Sequence, residues 1–465
     1  MATDYKIRNF KKTAVYFEVT PSAFSGALTR FSKFFHEPLM DEDSTEREVK
    51  AIDHENDKNL KQDSRRRRQV LKLLADEGAE FQMFSTGNYE TLWTVPKEQG
   101  IDTRNRLLDF YEKHYCAGIM QLCVLSSDGL DDLQRIVEEL FSKIENKGMA
   151  SKTYQNQYTQ KLGKLVYIVP VGTIRQVILM FPFEDFYSVK NPNFSSALGH
   201  LVGHEGPGSL LSELKHRDLA NSLSAGIVKV LTGTKNFKVT ISLTKNGLKN
   251  YTEVVSLFYQ YIELLKSNSP LPDYIWNETF CRNKISFKFA QKSSGFGSYC
   301  TRIADRMQQD CYKGKLNEII DGPYLKRFSE RNDEILDTIL GRIKPENSFV
   351  VLEANEFETT WPEKEAGEQK TDYYYQSKYS FREFSDDEVE KWSKVTICEN
   401  LKLPVENKFI ATAFEINPTL GVKTKGEFSE SVNLQCVQKC VSDFLNSGFF
   451  KGFLANVPRG LNFYA

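Results

Sequence analysis

The feature that most constrains this chain is that it repeats itself. Val15-Tyr16-Phe17-Glu18-Val19 has the β-branched and aromatic content of a strand. Thr20-Pro21 then offers an N-cap and a first-turn proline. Phe24, Ala27, Leu28, Phe31, Phe34 and Phe35 follow at helical spacing until Pro38 stops the pattern. The same order returns later. Phe237 to Leu243 alternates as a strand, Thr244 caps, and Leu248, Tyr251, Val255, Phe258, Ile262 and Leu265 mark a helix. Sliding one unit onto the other puts Thr20 on Thr244, Phe31 on Val255 and Phe34 on Phe258, a period of about 225 residues. A later strand in each unit, Ile119 to Leu125 and Phe349 to Leu352, fits with a slightly larger shift. Each copy is a strand-and-helix sandwich, which makes the fold class α+β.

Between these landmarks the first copy carries a long charged helix from about Ser44 to Leu74, turns at Thr86-Gly87-Asn88 and near Gly100, and a helix around Leu107. Asp128 caps a helix bearing Leu130, Leu133, Val137, Leu140 and Phe141. The second copy has more ahead of its Phe237 strand. It opens with Leu165 to Val169, Val177 to Phe181 and a helix through His200-Leu201-Val202-Gly203-His204. The first copy has only about fourteen residues in the matching place, so it is expected to lack the opening strands and first helix. A sheet short of those strands exposes an edge and part of its core. Helices are expected through Ile275 to Phe289 and Tyr324 to Leu340, and Phe409 to Ile416 reads as a strand. The boundaries drawn are 1–150 for a truncated first domain, 151–385 for a second, and 386–465 for a linker and the start of a third.

Lys and Arg number 61 and Asp and Glu 62, a net charge of −1, which gives no electrostatic reason to expect nucleic acid or a membrane surface as a partner. No run approaches the ~18 apolar residues of a membrane span. The eight cysteines lack framework spacing, which reads as reduced thiols and a cytoplasmic location. The one dense basic run, Arg65 to Arg68, lies in a charged helix after Asp57 and Asp63 and reads as a solvated face. Glu363 to Asp372 reads as a polar loop, and Asp372-Tyr373-Tyr374-Tyr375 as packing at a domain edge.

Two sets of residues could carry chemistry. Glu48 and Glu55 sit two turns apart on the charged helix and so share a face. A carboxylate on a rigid helix is a good third ligand for catalytic zinc, although spacing alone favours a solvated acidic face. His200 and His204, at i and i+4 with Glu205 adjacent, have the spacing of a metal pair, but the glutamate fits neither zinc-protease order. Structural use is the better reading. The Gly206-Pro207-Gly208 turn lets backbone approach a ligand closely.

The motifs together resemble the insulin-degrading-enzyme branch of the pitrilysin family. The likeness runs through Arg47-Glu48-Val49, Ala51-Ile52-Asp53 with Glu55, Phe84-Ser85-Thr86-Gly87-Asn88 and Gly100-Ile101-Asp102. It continues through Leu130-Asp131-Asp132-Leu133 and is strongest from Gly199 to Leu211. It implies tandem pitrilysin-type domains, a zinc endopeptidase acting on peptides, Glu55 as third zinc ligand and Glu48 as its supporting carboxylate. It also implies an exosite for the substrate N-terminus at His204, Glu205, Gly206, Pro207, Gly208, Ser209 and Leu210, with Leu223, Ser224, Ala225, Gly226 and Ile227 as its strand. Ala225 stands where the family has glycine, against close backbone contact there. None of the six histidines begins the family's His-x-x-Glu-His motif, which supplies two zinc ligands and the general base. The expectation is therefore a homologue that does not retain zinc and is inactive alone. It would bind peptides, or be completed by a homologous peptidase half, by a second copy, or by a segment ahead of Met1.

Overall fold

The computed structural model describes residues 3–9, 12–150, 154, 157–184, 193–231, 234–289, 296–309, 319–320, 331, 333–412 and 414. Residues 1–410 form one compact unit. The start of the expected Tyr324 helix, the end of the Phe409 strand, Cys311, Cys436 and Cys440 lie outside the described residues.

The alternation seen in the second copy builds a seven-stranded mixed sheet. Its strands are β3 (Lys164–Ile168), β4 (Arg175–Glu184), β5 (Ala220–Leu231), β6 (Thr234–Leu243), β7 (Phe349–Ala354), β8 (Lys370–Thr371) and β9 (Lys378–Glu383). Their order is β5-β6-β4-β7-β3-β9-β8. β3 and β7 run parallel and the other pairs antiparallel. Every residue of β7 is buried, so both faces of the sheet must be covered.

The period of two divides the strands between two cores. Leu165, Tyr167, Val177, Leu179, Phe181, Val350 and Leu352 face the second copy's own helices. Those are α6 (Asn193–Val202), α7 (Leu210–His216), α9 (Tyr251–Ser267), α10 (Asp273–Lys288), α11 (Asp333–Arg342) and α12 (Asp386–Ser393). Val166, Ile168, Ile178, Met180, Phe349 and Val351 face the other way, onto Val70, Leu71, Leu74, Ala75 and Phe81 of the first copy.

That second cover explains a break in the long charged helix, which is two helices, α2 (Glu42–Leu60) and α3 (Asp63–Leu73). Gln62 takes an extended conformation between them. Asp63 then accepts the amides of Val171 and Gly172 at 2.7 and 2.9 Å, fixing the start of α3 to the turn between β3 and β4. Arg65 is exposed as expected, but the rest of the basic run is an anchor and not a solvated face. Arg66 donates to the carbonyls of Tyr375 (2.6 Å) and Gln376 (3.2 Å). Arg67 pairs at 2.5 Å with Glu353, which is fully buried on β7. Arg68 lies over the Phe81 ring. Burial outweighs the Arg67 contact and holds the Glu353 carboxyl above its usual range. Lys72, also buried, donates to the Met83 carbonyl, and burial lowers it to about 7. Tyr374 stacks on Phe84 at 4.1 Å, so the tyrosine run packs between the copies as expected.

The first copy is sparser. Among the described residues its sheet is a hairpin of β1 (Thr3–Asn9) and β2 (Lys12–Glu18). α1 (Phe24–His36) packs through Phe31 on Phe17 and Phe141. Phe34, matched to the fully buried Phe258, is 51% exposed. The helices α4 (Thr103–His114) and α5 (Leu130–Phe141) bury no residue. Ile119 to Leu125 is not a strand but a 3-10 turn and irregular chain, because a strand needs a ladder partner and none pairs with it among the described residues. Gly129 rather than Asp128 is the cap of α5, and the Asp128 carboxylate instead accepts from Ser126. Thr20 makes no side-chain cap, whereas Thr244 accepts from the Gly247 amide at 2.8 Å and starts α8 (Lys245–Lys249). Glu363 to Asp372 is partly ordered into one helical turn and β8, and residues 408–410 form a turn in place of the expected strand start. Among the described residues no helix is long and apolar enough to cross a membrane.

The Thr244 turn gives a sharp test. A Cβ at Gly247 would stand 1.8 Å from the Leu219 carbonyl oxygen, a backbone atom that cannot step aside, whereas one at Gly226 meets nothing within 4 Å. Gly247→Ala should cost about 3 kcal/mol or more by overpacking. Gly226→Ala should change stability by less than about 0.5 kcal/mol, both read by urea unfolding.

Candidate peptide-binding groove

Among the described residues the sheet ends at β5, a twelve-residue strand whose one ladder partner there is β6. Helix α6 crosses it unusually closely because two glycines one turn apart face the strand. A Cβ at Gly199 would lie 3.3 Å from the Ala225 carbonyl, and one at Gly203 3.8 Å from the Ala225 nitrogen. The helix backbone thus approaches the strand at Ala225, with the missing side chains on the helix.

Beside this crossing lies a groove of about 380 Å³, lined by Ser195, Ser196, Gly199, His200, Gly203, Ala225, Gly226, Thr279, Arg282 and Asn283. Ala225 and Gly226 are the predicted residues that line it. The rest of the predicted set is divided. Leu223 is buried and Ile227 packs on the same core, while Ser224 is exposed. His204 lies past the end of α6, its ring 5.8 Å from that of His200. Glu205 and Pro207 are exposed on the turn. Gly206 has no room for a Cβ, which would sit 2.6 Å from His204 Nε2. Gly208 has φ +81° and packs on Lys402, whose amide donates to its carbonyl at 2.8 Å. Ser209 is buried and caps α7 by accepting from Ser212, and Leu210 is core. The turn therefore shapes the groove's surroundings more than its lining.

The lining residues on α10 were missed. Thr279, Arg282 and Asn283 share one face of that helix, but polar residues on an amphipathic helix carry no signal until a neighbour shows which face is covered. Gly199 and Gly203 did carry one, since glycines at i and i+4 in a helix admit close backbone packing. The polar atoms have a definite arrangement. Arg282 Nη1 and His200 Nδ1 are 3.0 Å apart, and His200 Nε2 is 3.9 Å from Glu278 Oε2. Burial, then Arg282, then His204 lower His200 to about 4, so at neutral pH it is uncharged and Nδ1 accepts from the guanidinium. Burial lowers His204 too. The amide nitrogen of Asn283 has no hydrogen-bond partner among the described residues. The groove thus offers two donors and an open strand edge.

The presumptive metal residues are a separate place. Glu48 and Glu55 lie on one side of α2 as predicted, and both are exposed. The buried side is Thr45, Val49, Asn56 and Asn59. Among the described residues no group of three or more His, Cys, Asp or Glu could hold a metal ion. A catalytic zinc needs about three protein ligands, so these residues do not by themselves fit one, and no step is derived through it. His200 and His204 have no third ligand among the described residues, and His200 is already engaged by Arg282.

A half-buried neutral histidine makes stability depend on pH in a fixed direction. The unfolded state binds a proton near pH 6.5 and the folded state only near 4, so stability is full above 6.5 and is lost as pH falls between them. Between pH 7.5 and about pH 5 the loss from this residue should be about 2 kcal/mol. His200→Asn, which keeps an acceptor for Arg282, should flatten the profile in urea titrations by that amount.

Comparison with known proteins follows this anatomy. Residues 103–279 match the family described as Peptidase M16 inactive domain, and 287–437 match the middle or third domain of peptidase M16. The human insulin-degrading enzyme is 34% identical over 408 residues, covering 87% of this chain and 39% of that protein. The A-factor-processing enzyme of Saccharomyces cerevisiae is 34% identical over 422 residues, covering 90% and 39%. The chain thus spans about two fifths of the length of these relatives. The crystal structure of pitrilysin superposes with a TM-score of 0.77 at 22% identity, covering 89% of this chain and 42% of that one. A peptidase M16 inactive domain from Pseudomonas fluorescens gives 0.54 at 12% identity, covering 76% and 80%. With the repeated α+β architecture, these matches make the chain a member of the pitrilysin-type M16 peptidase family, in its insulin-degrading-enzyme-like branch.

Proposed function

We propose that this chain is a non-catalytic member of its family that captures short peptides along β5, with the peptide N-terminus in the Gly199–Gly226 groove. The observation that carries this reading is the long open edge of β5 beside that groove. An edge strand offers a row of backbone donors and acceptors that an extended peptide can pair with. Glu278 supplies a carboxylate close to the groove, and Arg282 and Asn283 supply donors. The reading of inactivity rests on the sequence, which contains no His-x-x-Glu-His, and on Glu55 being a single exposed carboxylate. The described cysteines are all free, in keeping with a reducing cytoplasmic setting.

A second reading has its own observation. On the buried side of α2, Asn56 Oδ1 and Asn59 Nδ2 have no hydrogen-bond partner among the described residues. Buried polar atoms are rarely left so. In this reading a further polypeptide, from another peptidase half or a second copy, would bring ligands to Glu55 on the exposed side of α2.

Two measurements separate these readings. In fluorescence anisotropy with a labelled short peptide, Gly226→Leu should weaken binding about tenfold or more at unchanged thermal stability, since the new side chain enters open space. Equal binding by the variant removes the groove reading. Zinc content of the purified chain, measured beside cleavage of a quenched fluorescent peptide, should show neither stoichiometric metal nor turnover. Zinc and cleavage that vanish together in Glu55→Gln would establish the catalytic reading instead.

A further inference from the structure

The groove beside β5 is electrostatically uneven. Of the described side chains that line it, Arg282 alone carries a fixed charge. The guanidinium is held by a short relay. Its Nη1 lies 3.0 Å from His200 Nδ1, and His200 Nε2 lies 3.9 Å from Glu278 Oε2. Glu278 is buried and accepts from the Asn407 amide at 2.5 Å. Because Nδ1 accepts from Arg282, the proton of the neutral ring sits on Nε2, on the Glu278 side. A guanidinium has five N–H donors and this contact takes one, so the group keeps capacity for a second partner. Asn283, the next residue, brings a buried amide nitrogen with no hydrogen-bond partner among the described residues. The Thr279 hydroxyl proton is already committed, donating to the Ile275 carbonyl at 2.9 Å. Two donors on α10, one of them charged, therefore line the groove. An ammonium has no acceptor to offer them, whereas a carboxylate can accept from both in charge-assisted bonds. The volume of about 380 Å³ is near the lower end for ligand clefts and suits a terminal residue.

We infer that the groove selects peptides whose first residue is acidic. Arg282 and the Asn283 amide bind the carboxylate of that side chain, and the buried Glu278 carboxylate favours the α-ammonium. This rests on the peptide-capture reading of β5 and gives it a specificity-determining residue, Arg282, with His200 as the residue that positions it.

The test is fluorescence anisotropy of the full chain with peptides that carry the label and an amide at the C-terminus, a free N-terminus, and glutamate, glutamine or lysine in first place. The glutamate peptide should bind about fivefold more tightly than the glutamine peptide, a modest preference because Arg282 is exposed and water screens it, and the lysine peptide should bind most weakly. Arg282→Gln should bring the glutamate and glutamine peptides within about twofold of each other. Arg282→Glu should reverse the order, so that the lysine peptide binds best. Substitution at this exposed position should not cost the fold, and a reversed preference is a gain that misfolding cannot produce. Equal affinities for the three peptides, all weakened by Gly226→Leu, overturn the acidic preference and leave the capture reading standing. Equal affinities that Gly226→Leu does not weaken overturn both. A free-acid peptide that outbinds its amide whatever its first residue assigns the carboxylate to the other end of the peptide and also overturns the inference.

Discussion

A strand buried at every residue cannot be left with one bare face, and β7 is such a strand. Much else follows from that. One side of the sheet is covered by helices of its own copy, the other by α3 and Phe81 of the preceding copy. The two copies are therefore tied by a shared core, and three of the four arginines on α3, Arg66, Arg67 and Arg68, fix its placement. Two of them reach backbone carbonyls and a buried carboxylate, groups that would each cost free energy if left unsatisfied. The pair Arg67–Glu353 is best regarded as specifying where α3 sits, since desolvation cancels much of the attraction between buried charges.

The sheet's two edges are treated differently. β8 is two residues long and exposed, begins with Lys370 and faces Lys378 across the ladder, the features that blunt an edge against pairing. β5 is twelve residues long, bulged only near its ends, and carries a glycine in open space. Among the described residues β6 is its one ladder partner, and α6 lies close against it at Ala225.

The sequence-based departures share one cause. The first copy was expected to behave like the second wherever their patterns matched. Phe34 and Ile119 to Leu125 have the composition of buried helix and strand, but composition expresses a preference that only a partner can realise. Where the second copy has a seven-stranded sheet, the first has a hairpin among the described residues, so Phe34 is exposed and the strand does not form. The basic run failed the opposite way. Arg66 and Arg67 look solvated until a carbonyl row and a buried glutamate are brought opposite them.

By itself the sequence determined the α+β class, the repeat, the main helices and strands, and the family, because these are written in periodicity, caps and short motifs within a few turns of chain. It also set Glu48 and Glu55 on one helix side and singled out Ala225 and Gly226. Only the tertiary structure decided that the long helix breaks at Gln62, that Arg67 meets Glu353 across 286 positions, and that Arg282 and Asn283 join His200 at one groove. Those are contacts between segments far apart in the chain, and no local spacing encodes which of many polar side chains will end up opposite each other.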